Sequence, residues 1–502
     1  MLPILSSEQI HQLDQFTIDQ EKISSIELME RACQAFVDWY VQRHNQTKRI
    51  AIVCGTGNNG GDGLGIARLL KEHHYRVHVF VIDGKGKRSA DFLTNLDKAK
   101  GTLQVTEIIE SLPNNFLNGF DVLIDALFGS GLSRSLDGIY ANAVEEMNQS
   151  KTTKIAVDIP SGLMADQVST GAIFKADRTV SFQLPKLAFL LPHNNQYVGE
   201  WSLVDIGLTS SFYKQIDVPY FLTTKKSVKN LLHVRKRFSH KGNYGHALLI
   251  AGSYGKMGAA ILSARAALRS GLGLLTVHVP ASGNQLLQMS APEAMTSVDQ
   301  TEKYFTALPA DLNFNAIGIG PGIGQANETV VGFEKLLLSG YKAPIVLDAD
   351  ALNILSQNPS LLRQIPANSI LTPHPKEFER LVGAWKDDFN RLQKQIDFSK
   401  RINCVIILKG AFTSISLPNG KVYFNPTGNP GMATGGSGDV LTGILTGLLA
   451  QGYSAEHTAI LGVYLHGFAG DLAAQELGMN SLIASDLIDF LAQAFIKLQK
   501  EN

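Results

Sequence analysis

Glycine is concentrated in short runs, and the first run lies where it could hold a phosphorylated ligand. Residues 55–63 read GTGNNGGDG, after the apolar segment 49–54 (RIAIVC) and before a helical LGIARLLKE. Glycine lets backbone amides approach a ligand closely, and the N-terminus of a helix favours anions. This pattern predicts a phosphate-binding loop between a buried strand and a helix.

Residues 55–60 of this loop also fit the G-x-G-x-x-G fingerprint of dinucleotide-binding enzymes. Asp83 follows the loop by about 20 residues, the separation that this fingerprint requires. An NAD-dependent dehydrogenase is therefore one alternative. The fingerprint does not account for Asn58-Asn59 or for the GDG at 61–63. A tight turn without any ligand is less favoured still, because five of the nine residues are glycine.

Two aspartates follow apolar strands later in the first half. Asp125 begins DALFGSGLSR (125–134), and Asp158 begins DIPSG (158–162). A single aspartate in such a place commonly caps the following turn. Parallel sheets build their sites at the carboxyl ends of strands. Two such aspartates beside a glycine loop therefore indicate a site.

The second half carries its own glycine loop, NPGMATGGSGD (429–439), before the apolar helix VLTGILTGLLAQG. Glycine amides at a helix N-terminus form an anion site, although Asp439 alone would only stabilise the helix dipole. The segment KGAFT (409–413) upstream looks like a nucleotide loop. A carboxylate beside a phosphate cradle can accept the proton of a hydroxyl that attacks a phosphate. Residues 252–259 are not a P-loop, since Met257 follows Lys256.

Strand-like and helical segments alternate along both halves. Two helices are expected within 5–45, followed by a doubly wound parallel sheet and then by a second, separate α/β sheet. The predicted fold is therefore α/β with two domains, 1–215 and 225–500. Between them lies the most basic run of the chain, HVRKRFSHKGNYG (233–245). This run is either a solvated connector or a rim that meets substrate phosphates.

Composition excludes several classes of protein. The chain has 502 residues, 44% of them hydrophobic, with 45 Lys+Arg against 45 Asp+Glu. The hydrophobic content argues against disorder, and the balanced charge argues against nucleic-acid or membrane-surface binding. The three cysteines are far apart, which indicates neither a disulfide framework nor a metal site. No signal peptide or long apolar run is recognised, so a soluble, cytoplasmic protein is expected.

Together, GTGNNGGDG, DALFGSG and DIPSG resemble the NAD(P)HX epimerase family, the YjeF N-terminal domain, over about residues 1–215. These epimerases interconvert the R and S forms of hydrated NADH or NADPH. The resemblance implies Asp158 as the acid/base group beside the hydrated ring. The implied binding site for the hydrated dinucleotide consists of Asn58, Asn59, Gly60, Gly61, Asp62, Gly129, Ser130, Gly131, Leu132, Ser133, Arg134, Ser135 and Asp158. The implied potassium site consists of Asn59, Asp125 and Ser161.

The GSGD segment resembles the ribokinase-like superfamily. With GIGPGIG, DADALN and LTPHPKEFERL, it is similar to the NAD(P)HX dehydratase family, the YjeF C-terminal domain, over about residues 225–500. The resemblance implies Asp439 as the base that activates the substrate hydroxyl. The implied hydrated-dinucleotide residues are Ala259, Gly322, His374 and Asp439. The implied adenine-nucleotide residues are Lys409, Gly410, Ala411, Phe412, Thr413 and Gly438. His374 could also only rigidify its loop, and Asp348 and Asp350 could be magnesium-related or strand-end caps.

The two resemblances imply a bifunctional repair enzyme, an isomerase joined to a lyase. The expected substrates are NADHX and NADPHX, with ADP or ATP as phosphoryl donor, Mg²⁺ at the phosphates, and K⁺. A homo-oligomer, a tetramer or larger, is implied as well. Three alternatives stay open. They are a small-molecule kinase of the ribokinase superfamily, an inactive binding protein for ADP-ribose-like nucleotides, and the dehydrogenase.

Overall fold

The computed structural model describes residues 1–84 and 86–500, and the chain divides into two compact units. The first unit runs from Leu2 to Val218, and the second begins at Pro219. Each unit is built on a largely parallel sheet with helices, so the predicted α/β class is confirmed. Among the residues described, no helix is both long enough and apolar enough to cross a bilayer.

The first unit alternates strands and helices after an initial helical pair, as its apolar spacing predicts. Its strands are β1 (Leu2–Ile4), β2 (Arg49–Cys54), β3 (Arg76–Ile82), β4 (Gln104–Ile108), β5 (Val122–Ala126), β6 (Thr153–Val157), β7 (Arg178–Phe182) and β8 (Glu200–Val204). Its helices are α1 (Ser7–Glu21), α2 (Ser25–Val41), α3 (Asn58–Glu72), α4 (Ala90–Ala99), α5 (Gly138–Gln149) and α6 (Asn195–Val198).

Seven of these strands form a parallel sheet in the order β4-β3-β2-β5-β6-β7-β8. The strand order reverses between β2 and β5, which creates a crevice at their carboxyl ends. The glycine loop leaves β2 at this crevice, and Asp125 lies at the end of β5. The central strands are buried on both faces, which explains their continuous apolar runs.

The second unit has ten strands and ten α-helices among its described residues. The strands are β9 (Tyr220–Leu222), β10 (His246–Ile250), β11 (Leu274–Val279), β12 (Met295–Val298), β13 (Ala316–Ile319), β14 (Ile345–Leu347), β15 (Ile370–Leu371), β16 (Val405–Leu408), β17 (Ser414–Ser416) and β18 (Val422–Phe424). The helices are α7 (Lys225–Lys229), α8 (Met257–Arg269), α9 (Asn284–Ser290), α10 (Asn327–Leu338), α11 (Asp350–Gln357), α12 (Pro375–Val382), α13 (Asp388–Ile402), α14 (Ser437–Ala450), α15 (Ala455–Leu477) and α16 (Ala484–Gln499).

These strands pair in the order β9-β18-β17-β16-β15-β14-β13-β10-β11-β12, and β10 to β16 are parallel to one another. Helix α14 is buried along nearly its whole length and packs on α8. Its glycines permit this approach, because a Cβ on Gly443 would lie 2.1 Å from the carbonyl oxygen of Ser263. The close packing of α14 places its N-terminus, with Asp439, at the carboxyl end of the sheet.

Candidate functional site

The crevice of the first unit contains a cavity of about 660 Å³. The lining comes from α1, α2, the start of α3, the loop 127–134, and residues near the ends of β6 and β7. The predicted residues that line the cavity are Asn58, Asn59, Asp62, Gly129, Ser130, Gly131, Leu132, Ser133, Arg134 and Asp158. A phosphorylated ligand placed there would meet the N-terminus of α3.

Three residues predicted for this site are not in the lining. Gly60 and Gly61 lie in the first turn of α3, and a Cβ on Gly60 would come within 1.9 Å of the Gly55 carbonyl oxygen. They therefore allow the helix to begin close beneath the loop. Ser135 instead hydrogen-bonds Thr170, at 2.7 Å between the two hydroxyl oxygens. Asp83, the acidic residue of the dehydrogenase alternative, forms an ion pair with Arg88 at 2.8 Å and does not line the cavity.

Asp158 follows β6 in the left-handed backbone region, with φ of 64°. Lys186 Nζ donates to its Oδ1, and the Lys186 ammonium also donates to the Ser181 hydroxyl at 2.6 Å. The Phe182 amide donates to the same Asp158 oxygen at 3.2 Å. The lysine side chain is only 1% exposed, so this is a buried ion pair at the wall of the cavity. No sequence motif predicted Lys186, although a lysine within LPKLAFLLP is an unusual charge in an apolar run.

The ion pair leads to a prediction about stability. Lys186→Met should lower the free energy of unfolding of the first unit by about 3–5 kcal/mol, because it leaves Asp158 buried without its cation. Urea denaturation followed by tryptophan fluorescence measures this loss, since Trp39 and Trp201 both lie in the first unit.

Lys151→Met, at an exposed position of the same unit, is the matched control and should be neutral. Adding Asp158→Asn to Lys186→Met should restore much of the loss, because no unpaired charge then remains buried. A Lys186→Met protein as stable as the control would contradict the buried-pair interpretation.

Three further carboxyls line the same cavity, Asp14 from α1, Asp62 from α3 and Asp91 from α4. Burial and the nearby charge of Asp158 raise the pKa of Asp14 to about 7. Burial also raises the pKa of Asp62 well above its ordinary range, with Asp158 and Asp14 adding to the effect. The cavity therefore holds at least two carboxyls, Asp14 and Asp62, whose pKa values burial raises.

Of the predicted potassium residues, Asn59 lines the cavity, and Asp125 and Ser161 contact each other near the ends of β5 and β6. The Ser161 hydroxyl donates to Asp125 Oδ1 at 2.6 Å, and the Ser161 amide donates to Asp125 Oδ2 at 2.8 Å. Asn59 lies against Gly129, and its buried Nδ2 has no hydrogen-bond partner. Burial raises the pKa of Asp125 to about 6, and a bound cation would favour its ionised form. Carboxylate, hydroxyl and amide oxygens are hard ligands, so these residues fit an alkali cation.

In the second unit, Asp348 at the end of β14 is the centre of a polar cluster. Lys409 Nζ donates to its Oδ1 at 2.9 Å, and the Thr442 hydroxyl donates to its Oδ2 at 2.7 Å. Burial opposes ionisation of Asp348, yet the ammonium and these hydrogen bonds lower its pKa. Gly438 lies against this pair, since a Cβ there would be 3.4 Å from Lys409 Nζ. Asp348, whose role could not be decided from sequence, therefore connects the KGAFT loop with the GSGD loop.

Asp439 lies half-buried in the first turn of α14. Burial raises its pKa to about 6, and the nearby Asp348 carboxylate adds to the effect. His466 of α15 holds the same turn, with its Nε2 3.0 Å from the Ser437 carbonyl oxygen. Burial lowers the pKa of His466 to about 4, so this imidazole is neutral at pH 7. Asp439 can therefore accept a proton near neutral pH.

Some of the remaining predicted residues lie near the Asp348 cluster, and others make contacts only within their own segment. A Cβ on Gly322 would lie 3.1 Å from the Ala259 Cβ, so these two residues adjoin. His374 caps α12 and accepts from the Lys376 and Glu377 amides through Nδ1. Charges from Lys409 and Asp348 still influence the His374 pKa, which burial lowers. Within KGAFT, the Thr413 hydroxyl donates to the Gly410 carbonyl at 3.0 Å and closes a turn.

The basic run 233–245 directly precedes β10 and lies at the amino-terminal ends of the strands of the second sheet. Arg235 donates to the Gly271 carbonyl, and His233 stacks on Tyr453 at 3.7 Å between ring centroids. Gly271 precedes β11, and Tyr453 follows the C-terminus of α14. Cations there complement the helix dipole. Residues 233–239 of the run also line a cavity of about 1100 Å³, together with Arg269 and Gln451.

Comparison with known proteins matches both units. The family model described as NAD(P)H-hydrate dehydratase matches residues 247–493, and the model described as YjeF-related protein N-terminus matches residues 25–188. A bifunctional NAD(P)H-hydrate repair enzyme Nnr from Moorella thermoacetica is 38% identical, over 99% of this chain and 97% of its own length. The Escherichia coli protein of the same name is 31% identical, over 93% and 88%.

A solved structure from Bacillus subtilis resembles part of the chain. It is an ADP/ATP-dependent NAD(P)H-hydrate dehydratase co-crystallised with ATP and Mg²⁺. Its sequence is 34% identical, and the match covers 55% of this chain and 98% of that one, with a TM-score of 0.49.

Proposed function

The chain belongs to the family of bifunctional NAD(P)H-hydrate repair enzymes, and we propose that its two units perform successive steps of that repair. The first unit epimerises R- and S-NAD(P)HX, and the second dehydrates S-NAD(P)HX to NAD(P)H. The observation that carries the proposal is similarity to a bifunctional relative over 99% of the chain. A small-molecule kinase would leave the first unit and its cavity without a role.

In the dehydration, Asp439 accepts the proton of the substrate hydroxyl while that oxygen attacks the terminal phosphoryl group of ADP. The products of this transfer are AMP and a phosphorylated hydrate. The bond from carbon 6 to the phosphate oxygen then breaks, carbon 5 loses a proton to solvent, and the C=C bond of NAD(P)H forms, because phosphate is a better leaving group than hydroxide. Lys409 and the amides at the start of α14 favour the negative charge of the phosphates. Their arrangement around Asp348 supports these roles.

Mg²⁺ would be held mainly by the phosphates, with at most one or two carboxylates such as Asp348. Among the described residues there is no cluster of three His, Cys, Asp or Glu side chains that could hold a metal alone. The ion would supply electrostatic stabilisation of the transferring phosphoryl group. ADP as the preferred donor, a cytoplasmic location and a homo-oligomer of at least four chains complete the proposal.

The direct test follows regeneration of NADH. The protein is incubated with mixed R- and S-NADHX, Mg²⁺ and either ADP or ATP, and absorbance is recorded. Full conversion with ADP is the expected result. Conversion that stops at the S fraction would reject an active epimerase, provided that spontaneous epimerisation is slower than the assay. No NADH with either nucleotide would reject the repair function.

Potassium should affect both the activity and the stability of the first unit. Epimerisation should be faster in K⁺ than in tetramethylammonium at equal ionic strength. K⁺ should also raise the thermal midpoint of the first unit, because a cation bound only by the folded state stabilises that state. Asp125→Asn should remove both effects, since it takes the charge from the cation site. Equal K⁺ dependence in wild type and Asp125→Asn would contradict the assignment of Asn59, Asp125 and Ser161.

A further inference from the structure

One carboxyl of the epimerisation cavity has no role in the proposal above. Asp14 lies on α1, on the helix face formed by Ile10, Asp14 and Ile18 at spacings of four residues. All three residues line the cavity, and so does Asp158 from the end of β6. The two carboxyls therefore reach one cavity from different elements of the fold.

Asp14 and Asp158 have different charged neighbours. The charged and titratable groups that line the cavity besides these two are His11, Asp62, Asp91, Arg134 and Lys186. Lys186 is already bonded to Asp158 and Ser181. Asp14 and Lys186, both among the described residues, form no ion pair, and burial and the negative charge of Asp158 outweigh the more distant Lys186 charge and raise the pKa of Asp14 to about 7. Two carboxyls with environments this different suit one acid and one base.

We propose that Asp14 is the second proton-transfer group of epimerisation and acts as the acid when Asp158 acts as the base. The inference rests on the proposed epimerase function. It concerns a residue outside the glycine loop and outside both strand-end motifs. Its support is the shared cavity and the ion pair that occupies Asp158 but not Asp14.

The ring nitrogen of the hydrated nicotinamide donates its lone pair to form a C=N bond, while the bond from carbon 6 to its hydroxyl oxygen breaks. That oxygen takes the proton of Asp14 and leaves as water. Water then adds to the opposite face of carbon 6, the C=N electrons return to nitrogen, and Asp158 takes the released proton. In the reverse direction the two carboxyls exchange roles, and exchange with solvent restores their protons.

The test is Asp14→Asn in the full-length protein, assayed for epimerisation of R-NADHX. The turnover rate should fall about 10²-fold or more, with a smaller change in KM. Wild-type kcat/KM should fall as pH rises through about 7, because the acid loses its proton. This alkaline decline should be absent in the variant. Asp14→Glu, which keeps a carboxyl, should recover part of the rate and retain an alkaline decline.

Asp19→Asn is the matched control, because Asp19 is exposed on the same helix and accepts from Gln15. It should behave as wild type. An Asp14→Asn rate within threefold of wild type, or an unchanged alkaline decline, would overturn the inference. If Asp14→Asn is unfolded, Asp14→Glu decides through the presence or absence of its alkaline decline. A wild-type protein without epimerisation would instead overturn the proposed function itself.

Discussion

Asp439→Asn should lower the rate of S-NAD(P)HX dehydration about 10²–10⁴-fold, the range typical of a lost general base, and leave epimerisation unchanged. Asparagine has nearly the same shape as aspartate but cannot take the proton of the attacking hydroxyl. Asp439 lies in the second unit, whereas the epimerisation cavity lies wholly in the first. Both rates can be measured on one protein sample, the first with pure S epimer and the second with R epimer.

The pH dependence gives an independent readout of the same group. A base acts when deprotonated, and burial raises the pKa of Asp439 to about 6. Wild-type kcat/KM for dehydration should therefore rise as pH increases through about 6 and then level off. The residual activity of Asp439→Asn should lack this rise. A variant that kept the rise would show that another group titrates.

Asp397→Asn supplies the matched control for this measurement. Asp397 is exposed on α13 of the same unit and accepts from Gln393 at 2.9 Å. Its substitution should change neither rate. If Asp439→Asn dehydrates the hydrate at the wild-type rate, the proposed role of Asp439 is wrong, whatever the overall activity of the protein.

Loops that join a strand to a helix were the parts best predicted from sequence. The segment 429–439 leads into α14 as predicted. The segment 55–63 also leads into a helix, but α3 already begins at Asn58, so only residues 55–57 of the predicted loop are outside the helix. Local chemistry determines such loops, because glycine and the helix N-terminus act over a few residues. Asn58 and Asp62 line the cavity because they lie at the start of α3.

Residues brought in from distant segments were less predictable. Lys186 lies 28 positions after Asp158 and pairs with it only because β7 is parallel to β6. Lys409 reaches Asp348 over 61 positions, from the neighbourhood of β16. Asp14 reads as a polar position of an ordinary amphipathic helix, and only the packing of α1 over the crevice brings it to the cavity. Such pairings depend on the order of strands, which local patterns do not contain.

Asp158→Asn should abolish most catalysed epimerisation, by about 10²–10⁴-fold, while dehydration of S-NAD(P)HX continues. The substitution suits this position for a structural reason. Asp158 has φ of 64°, and asparagine adopts the left-handed region more readily than other non-glycine residues. Its amide oxygen can still accept from Lys186 and from the Phe182 amide. The change removes the charge and the proton acceptor and keeps the backbone, but it leaves the buried Lys186 ammonium without its counter-ion, so the rates are compared on protein whose urea denaturation shows that it is folded.

The measurement uses mixed R- and S-NADHX with ADP, Mg²⁺ and enough protein to make dehydration fast. Wild type should convert both epimers in one phase, whereas Asp158→Asn should convert the S fraction first and the R fraction only at the spontaneous rate. Asp38→Asn is the matched control, because Asp38 is exposed on α2 and accepts from Gln34 at 2.8 Å. A variant that equilibrates the epimers at the wild-type rate would remove Asp158 from the mechanism. The ion pair between Asp158 and Lys186 would then have only a structural role. Asp14 or Asp62 would have to transfer the proton in place of Asp158.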